Sequence, residues 1–565
     1  MLIVDKAADH AAPPFSLDPA AQSWVEETLA ELTLEQRIAQ LMCLYLRSSD
    51  MAEWTAWLDE RGIEPGGFMV LPRSTADAQR DVRTLQQWSR VPLLVAGNLE
   101  SGAVNFLTDS EAFANPMQLG ATGDPAAARA LAIHCARLAG HVGINWSFAP
   151  VVDLAVNPDN PITNTRTFGS DVETVASLSE AYIHELESRG IATTTKHFPG
   201  DGVDGRDQHL ATTSNDLPLD EWWRTYGHVY ERAIAAGTRT VMVGHIRHPA
   251  LSRAARPTLE NRDLMPATLA PELIRVLRDD LEFTGLIVSD NSAMTGFTSQ
   301  APRREGLTGM FNAGVDMLLG NLDAEEDFQM ILEAARAGEI SPLRIEESVR
   351  RVLALKASLG LHGSPAALEI EPPDRFEESA WRDSIARRSV TLVKDTQQLL
   401  PLDPQRHRRA LVYVLGDTPT FYDPTRPLAP QFVAGLEARG LEVEVRQIPG
   451  NATTPAEAEH LHETFDVCIY FADVRFTGNS NTNRLAWSPA QGWDAPRHVA
   501  TLPTALVSVA DPYLLRDVPM IRTAINGYTP TGSVVEACLA VLFGEAEAAG
   551  VSPIDPFAGH WDAAL

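Results

Sequence analysis

The sequence predicts an α/β protein with two domains. A (β/α)8-type (TIM-like) barrel is expected over residues 1–360, then a linker at 361–380 and a smaller three-layer α/β sandwich domain over 381–565. Three observations predict this arrangement. Short β-branched runs alternate with helical segments, a Pro-rich acidic stretch interrupts the pattern, and a shorter alternation follows it.

Seven strands are predicted in the first domain, each a short apolar run between turn residues. They are expected at 66–71, 91–97, 144–154, 191–198, 238–246, 284–290 and 314–320. Four segments between them have helical spacing and begin near Asp or Pro: "DPAAARALAIHCARLAGHV", "DVETVASLSEAYIHELESRG", "PLDEWWRTYGHVYERAIAAG" and "APELIRVLRDDL". This pattern fits a barrel better than a doubly wound sheet, although it leaves the second alternative open.

The second domain begins where the composition changes. The stretch "LHGSPAALEIEPPDRFEES" is rich in Pro and acidic residues and has no period, which is typical of a linker. Five short strands are then predicted in "SVTLVKD", "ALVYVLGD", "EVEVRQI", "DVCIYFAD" and "ALVSVADPYLL", with helices in "QFVAGLEARG" and "SVVEACLAVLFGE". The alternation predicts a second α/β domain.

Composition excludes several classes of partner. The formal net charge of −29 over 565 residues argues against nucleic acid or an anionic membrane. No apolar run is long enough to span a bilayer, and the N-terminus lacks a signal-peptide pattern. Four widely spaced cysteines predict reduced, buried thiols. We therefore expect a cytoplasmic protein.

The stretch "KHFPGDGVDGRDQHL" (196–210) contains several alternative patterns. Its G-x-G-x-x-G is not followed by a helix, which disfavours a dinucleotide site. Its acidic residues do not have calcium-loop spacing, and its histidines do not have zinc spacing, so we expect no metal and no cofactor. Asp207 and His209, two residues apart, fit a carboxylate that orients a general acid/base, or equally two solvated side chains.

Polar residues at the predicted strand ends favour the general acid/base interpretation of Asp207 and His209. In a barrel of this type, the residues that follow the strands lie together at one face. Those positions hold Asn98, Glu100, Asp153, Lys196, His197, His245 and Asp290. Such a set of donors and acceptors predicts a pocket for a polyol, in which several fixed polar groups surround one ring.

These residues resemble glycoside hydrolase family 3, in its β-N-acetylhexosaminidase branch. The loop matches the pattern K-H-F-P-G-x-G, four residues, D-x-H. Further similarity lies in "TLEQRIAQL" (33–41), "FAPVVDLAVNPDNPITNTRTFG" (148–169), "GLIVSDNSAM" (285–294), "RRSVTLVKDTQQLLPL" (387–402) and "VLFGEAEAAGVSPIDPF" (541–557). The resemblance therefore covers most of the chain.

The resemblance implies a retaining exo-β-glycosidase that acts on a small carbohydrate substrate and forms a glycosyl-enzyme on Asp290. It implies that His209, oriented by Asp207, is the general acid/base, and that the glycine-rich loop is mobile. The substrate-binding positions that it implies are Arg166, Lys196, His197, His245 and Met294, with Asn98 and Glu100 at the early strand. Lys196 has an alternative, structural role as the partner of a strand-end carboxylate, and Met294 is equally compatible with the core.

One departure from the family pattern affects the choice of sugar. The family has an aspartate in a D-x-E-G-G segment, whereas this chain has "GNLESGAV" with Asn98 at that place. An amide both donates and accepts hydrogen bonds, but it lacks the charge that strengthens a carboxylate bond. The sugar that the pocket prefers is therefore left open.

Three alternative functions remain. A phosphorylase of the same fold would use phosphate in place of water, because a histidine acid/base does not repel phosphate as a carboxylate does. A family 3 β-glycosidase for another sugar, or a non-catalytic sugar-binding protein, are the others. The sequence leaves the oligomeric state open, with a homodimer as one alternative, and leaves open whether the loop at 475–496 reaches the barrel mouth.

Overall fold

The computed structural model describes residues 10–363, 373–417, 427–450, 453–475, 483–487 and 492–565. The chain divides into two compact units. The first comprises Met1–Ser110, Leu131–Leu154 and Val175–Pro373; the second comprises Glu111–Ala130, Ala155–Thr174 and Asp374–Leu565. The predicted barrel domain, 1–360, includes 111–130 and 155–174, because a prediction from sequence divides a chain only along its length. Within the predicted linker, 364–372 lies outside the described residues.

The first unit contains an eight-stranded parallel sheet, which confirms the barrel prediction. Its strands are β1 (Met42–Leu46), β2 (Gly67–Val70), β3 (Leu94–Gly97), β4 (Trp146–Ser147), β5 (Ala192–Phe198), β7 (Thr240–Val243), β9 (Leu286–Ser289) and β10 (Leu318–Leu319). They lie in the order β10-β1-β2-β3-β4-β5-β7-β9, and a parallel bridge from Val288 to Met317 closes the ring. The short strands β6 (Thr213–Ser214) and β8 (Ile246–Arg247) pair separately.

Strand β1 is the element of the barrel that sequence analysis missed. It follows the helix Leu34–Gln40 after a single residue, Leu41, with no Gly or Pro between them. The last three residues of the helix, Ile38, Ala39 and Gln40, are buried, and so is most of β1, so the buried run continues across the boundary. Neither periodicity nor a turn signal marks such a junction.

The helices up to residue 358 include several that begin at a side-chain cap, such as Asp18, Ser74 and Ser341. Thr33 caps one of them with a capping box, in which the Thr33 hydroxyl accepts from the Gln36 backbone and the Gln36 side chain accepts from the Thr33 backbone. In chain order they are α1 (Pro19–Glu31), α2 (Leu34–Gln40), α3 (Met51–Arg61), α4 (Thr75–Trp88), α5 (Pro116–Thr122), α6 (Pro125–Val142), α7 (Val172–Ser188), α8 (Leu219–Trp222), α9 (His228–Ala235), α10 (Pro249–Ala255), α11 (Pro271–Arg275), α12 (Thr295–Thr298), α13 (Arg303–Ala313), α14 (Ala324–Arg336) and α15 (Pro342–Ser358). Two π-helical turns, at Trp223–Gly227 and Val276–Asp280, extend α8 and α11.

The second unit contains a six-stranded mixed sheet, and it confirms the predicted sandwich. Its strands are β11 (Thr391–Asp395), β12 (Arg409–Gly416), β13 (Glu442–Ile448), β14 (Val467–Asp473), β15 (Thr504–Ser508) and β16 (Thr523–Asn526), in the order β11-β16-β15-β14-β12-β13. Only β11 is antiparallel. Consecutive residues of β12, such as Val412 and Tyr413, point to opposite faces and belong to separate apolar clusters, so both faces of the sheet are covered. This unit contains α5, which lies within 111–130, and four later helices: α16 (Arg375–Ser389), α17 (Ala429–Ala438), α18 (Pro455–Thr464) and α19 (Gly532–Leu542).

All four cysteines are buried, as predicted. Within the described residues, no helix is both long enough and apolar enough to cross a bilayer. The same part of the chain contains no cluster of three or more His, Cys, Asp or Glu side chains suited to a metal ion.

Lys356, on α15, is a fully buried cation in the first unit. Its ammonium donates to Gln40 Oε1 at 2.6 Å, and burial lowers its pKa from 10.5 to about 7, against the opposing effect of Glu64. The unfolded chain therefore binds a proton here between about pH 7 and 10.5 that the folded chain does not. Burial of the Lys356 charge therefore lowers the free energy of unfolding by its full amount below pH 7, and by less as the pH rises from 7 to 10.5.

We expect the stability of Lys356→Met relative to the parent to fall as the pH rises from 6 to 10. The change should be at most about 1.4 kcal/mol per pH unit, because only the parent loses a buried charge in this range. Urea unfolding of both proteins at each pH measures the difference, from which other titrating groups cancel. A difference that stays constant over this range would contradict the prediction.

Candidate active site

Asp290 follows β9 directly. Its backbone N–H donates to Val243 O at the end of β7 (2.9 Å), and its Oδ1 accepts from the Asn291 backbone (2.7 Å). Burial raises the pKa of Asp290, but nearby groups outweigh this and lower it below its usual range. Those groups are the imidazoles of His197, His245 and His209 and the Asn291 N–H. Asp290 is therefore ionised at neutral pH, as a carboxylate nucleophile must be.

Asp207 and His209 form a hydrogen-bonded pair. Asp207 Oδ1 lies 2.7 Å from His209 Nδ1 and also accepts from the His209 backbone N–H at 2.7 Å. Asp207 is fully buried, whereas 30% of the His209 side chain is exposed. The Asp207 carboxylate at Nδ1 fixes the ring and its tautomer, so Nε2 is left to exchange protons with a ligand.

The loop that carries this pair is attached to the segment after Asp290. Thr295 N donates to His209 O (3.0 Å), and Gly296 N donates to Gln208 O (3.2 Å). A Cβ on Gly296 would lie 2.5 Å from Gln208 O, so only glycine allows this approach. The general acid/base candidate and the nucleophile candidate are thus joined through the backbone.

Gly200 has a packing role in the structure. Its φ is +118°, and a Cβ there would lie 2.1 Å from the Tyr226 ring. Tyr226 also donates its hydroxyl to Asp201 O at 2.6 Å. Glycine is required for this contact, which gives a reason for the residue other than the predicted mobility of the loop; that mobility stays a prediction.

A second Asp–His pair lies at the ends of neighbouring strands. Asp153 Oδ2 lies 2.7 Å from His197 Nδ1, and Asp153 Oδ1 accepts from the backbone N–H groups of His197 (3.1 Å) and Asp201 (2.8 Å). Both side chains are almost completely buried. This pair is less accessible than Asp207–His209, so its geometry fits a fixed ligand-binding imidazole better than a proton donor.

Lys196 forms an ion pair with Glu100, with 2.8 Å between Nζ and Oε1. The same ammonium donates to Asn98 Oδ1 at 3.3 Å. Lys196 and Glu100 are both nearly inaccessible, at 3% and 5% side-chain exposure. Lys196 therefore has the carboxylate partner that its structural alternative expects, and the three residues form one cluster, while contact of Lys196 with a sugar stays a prediction. With its oxygen accepting from Lys196, Asn98 has its Nδ2 donors for a ligand.

His245 is fully buried and supports the segment after Asp290. Its Nε2 donates to Asn291 O (3.0 Å), and its Nδ1 lies 3.1 Å from the Thr268 hydroxyl. Burial lowers the pKa of His245, and the ring supports this segment through the Asn291 carbonyl. Met294 is also buried, and its backbone N–H donates to Asn291 O at 3.0 Å. Contact of either side chain with a ligand stays a prediction.

Arg166 lies in a 3₁₀ turn, Asn164–Arg166, within the second unit. Its backbone N–H donates to Thr163 O at 2.6 Å, and Asn164 Nδ2 donates to Asp511 Oδ2 at 2.9 Å. Its predicted role in binding the sugar stays a prediction. In the predicted loop at 475–496, residues 476–482 and 488–491 lie outside the described residues.

No role was predicted for Asp201 or Gln208, but both are buried in the loop. Asp201 lies between Gly200 and Gly202, and Gln208 is the middle residue of the D-x-H pattern, so their positions were only a weak signal. Asp153 and His197 were both recognised as strand-end residues, but their hydrogen bond, across 44 positions, was not predicted. Such pairs depend on which strands are neighbours, and spacing along the chain does not specify this.

Comparison with known proteins identifies the family. The model of the glycosyl hydrolase family 3 N-terminal domain matches residues 33–355, more than half of the chain. The chain belongs to glycosyl hydrolase family 3. This family 3 enzyme is therefore a glycosidase, and its carbohydrate-binding residues are expected at the strand ends described above.

Three relatives of this family 3 enzyme match nearly the whole chain. A protein of Cellulomonas fimi named β-N-acetylglucosaminidase/β-glucosidase is 42% identical, over 99% of this chain and 100% of its own length. A solved structure titled "Beta-glucoside phosphorylase BglX" has a TM-score of 0.89 and 36% identity, covering 98% of this chain and 99% of that one. A family 3 β-N-acetylglucosaminidase from Paenibacillus sp. str. FPU-7 has a TM-score of 0.78 and 26% identity, covering 93% and 99%.

Proposed function

We propose that this enzyme is a retaining exo-β-glycosidase, in the first place a β-N-acetylhexosaminidase, with Asp290 as nucleophile and His209 as general acid/base. The observation that carries this proposal is the Asp207–His209 pair, held by backbone hydrogen bonds against the segment that follows Asp290. The pair supplies an oriented imidazole, and Asp290 supplies an ionised carboxylate. Together they provide the two groups that a double displacement needs.

In the first step, a carboxylate oxygen of Asp290 forms a bond to the anomeric carbon. The bond from that carbon to the leaving oxygen breaks, and its electron pair stays on the oxygen. Protonated His209 donates a proton from Nε2 to this oxygen, so the aglycone leaves as a neutral alcohol. Asp207 stabilises the imidazolium before the transfer and holds the ring in position throughout.

In the second step, water attacks the anomeric carbon of the glycosyl-enzyme. Neutral His209 accepts a proton from this water, and the ester bond to Asp290 breaks with its electrons returning to the carboxylate. Two inversions at the anomeric carbon give net retention. The enzyme is thereby returned to its starting protonation state.

The choice of N-acetylhexosamine rests on the relatives and on the pocket residues. The Cellulomonas fimi protein and the Paenibacillus structure both have β-N-acetylglucosaminidase in their names. The Lys196–Glu100–Asn98 cluster and His197 offer donors and acceptors to ring hydroxyls. Asn98 stands where the family has a carboxylate, so this side of the pocket is less negative and the preferred sugar is open. The experiment below therefore includes a β-glucoside. A cytoplasmic location and a homodimer stay predictions.

Phosphorolysis is the second candidate function. It is supported by the solved structure titled "Beta-glucoside phosphorylase BglX", which matches 98% of this chain. The acid/base candidate is also an imidazole, and a neutral imidazole does not repel an incoming phosphate as a carboxylate would. Phosphate would then replace water in the second step, and the product would be a sugar phosphate.

The deciding experiment follows the first-formed product by ¹H NMR, with p-nitrophenyl β-N-acetylglucosaminide and p-nitrophenyl β-glucoside, with and without inorganic phosphate. We expect the first free sugar to have the β configuration, because retention is proposed. A first-formed α sugar would contradict the retaining mechanism. A rate that depends strongly on phosphate, with a sugar phosphate as product, would assign the enzyme to phosphorolysis.

A further inference from the structure

Gln208 is a fully buried glutamine between the two residues of the proposed acid/base pair. Its side chain Oε1 accepts from the His245 backbone N–H at 2.9 Å. Its side chain Nε2 donates to Asp201 Oδ2 at 3.3 Å. Its backbone carbonyl accepts from Gly296 N at 3.2 Å. Gln208 is therefore attached to the segments that follow β7 and β9 and to the beginning of its own loop at Asp201.

Each of these parts belongs to a different section of the site. His245 follows β7, and Gly296 lies beyond Asp290. Asp201 donates its backbone N–H to Asp153, which holds His197. Gln208 thus connects the Asp153–His197 pair with the Asp207–His209 pair.

The hydrogen bonds at Gln208 require an amide. One partner is a backbone N–H, which needs an acceptor, and the other is a carboxylate, which needs a donor. A methionine of similar size would leave a buried N–H without a partner. A glutamate would face the Asp201 carboxylate with a second negative charge.

We propose that Gln208 is a positioning residue that sets the place of the His209 imidazole at the leaving oxygen. This inference rests on the proposed function of His209. The Asp207 carboxylate fixes the rotation of the His209 ring. Asp207 lies on the same short loop as His209, however, so it does not fix the position of that loop in the site. Gln208 fixes that loop to the barrel rim, so its loss should displace the acid and leave Asp290 in place.

A defect in general acid catalysis has a signature that general destabilisation lacks. A 2,4-dinitrophenolate group leaves an aryl β-glycoside without being protonated, whereas a phenolate group needs a proton from the general acid. The ratio of kcat/KM for these two substrates reports proton donation in the first chemical step. The amount of folded enzyme cancels in this ratio, so a partly unfolded variant still gives a valid result.

The experiment measures this ratio for the full-length parent and for Gln208→Met, Gln208→Glu and His209→Ala, with whichever N-acetylglucosaminide or glucoside the parent cleaves. We expect kcat/KM for the phenyl substrate to fall about 10- to 100-fold in both Gln208 variants, a part of the usual contribution of an acid. We expect the 2,4-dinitrophenyl substrate to change less than about 3-fold. His209→Ala should show the same selectivity to a larger degree.

Gln40→Met is the matched control. Gln40 is also buried and also uses both side-chain atoms, accepting from Lys356 and donating to Glu64 O, but it precedes β1 at the opposite end of the barrel. Its variant should leave the ratio unchanged. Equal losses on both substrates in the Gln208 variants, or no loss, would overturn the inference while His209→Ala still supports the proposed function. If His209→Ala itself showed no selectivity, the proposed acid and this inference would both fail.

Discussion

We expect Asp290→Asn to lower kcat for the cleavage of a p-nitrophenyl β-glycoside by at least about 10⁴-fold, as removal of a nucleophile does in other enzymes. The amide keeps the shape of the side chain but cannot form the glycosyl ester. The hydrogen bond from Asn291 N can be retained by the amide oxygen, so the local structure should persist. Steady-state rates and a thermal unfolding midpoint measured together separate lost chemistry from lost folding.

A covalent trap identifies the residue independently of rates. A 2-deoxy-2-fluoro glycoside with a good leaving group slows both steps and allows the glycosyl-enzyme to accumulate. We expect the intact mass of the parent to increase by one sugar, with the label on the peptide that contains Asp290. Asp279→Asn, a change at an exposed aspartate in the same unit, should label as the parent does. A label on another residue would refute the assignment.

We expect Asp316→Asn to destabilise the first unit by about 3–5 kcal/mol, the usual cost of removing one partner from a buried ionic cluster. Asp316 is fully buried and lies within 2.5–3.0 Å of three guanidinium groups, those of Arg278, Arg344 and Arg351. Burial opposes ionisation, but the arginines, Arg351 first, hold the pKa of Asp316 well below its usual range. The variant would leave three buried cations without their shared carboxylate. Urea unfolding of the parent and the variant at pH 7 measures the loss.

Glu35→Gln is the control for this measurement. Glu35 pairs with Arg336 at 2.6 Å, but both side chains are about half exposed. Solvent screens such a pair, so we expect a loss below about 1 kcal/mol. Similar losses in the two variants would show that the buried cluster contributes no more than a surface pair, contrary to the prediction.

The position of Asp316 explains why its effect should be confined to stability. It accepts from the Ile287 backbone at the start of β9, whereas Asp290 follows the end of that strand. Arg344 and Arg351 both lie on α15, so the Asp316 carboxylate connects this helix to the end of the barrel at which the strands begin, opposite Asp290. The selectivity between aryl leaving groups should therefore be unchanged in Asp316→Asn, in contrast to the Gln208 variants.

The sequence by itself predicted the fold class and the two-domain organisation, and it singled out Asp207 and His209 as the candidate acid/base pair. Periodicity and turn residues are local properties, and they are sufficient to place most strands. The Asp207–His209 contact is local as well, because the two residues are two positions apart and Asp207 Oδ1 also accepts the His209 backbone N–H. The similarity to family 3 rests on motifs of this kind.

Only the tertiary structure decided the partners of the remaining site residues. Lys196 meets Asn98 across 98 positions, His197 meets Asp153 across 44, and the Gln208 amide reaches His245 across 37. These contacts follow from which strands are neighbours in the ring and from how far each extends at its end. A chain pattern of period two or 3.6 carries no such information, because the same pattern fits every position in the sheet.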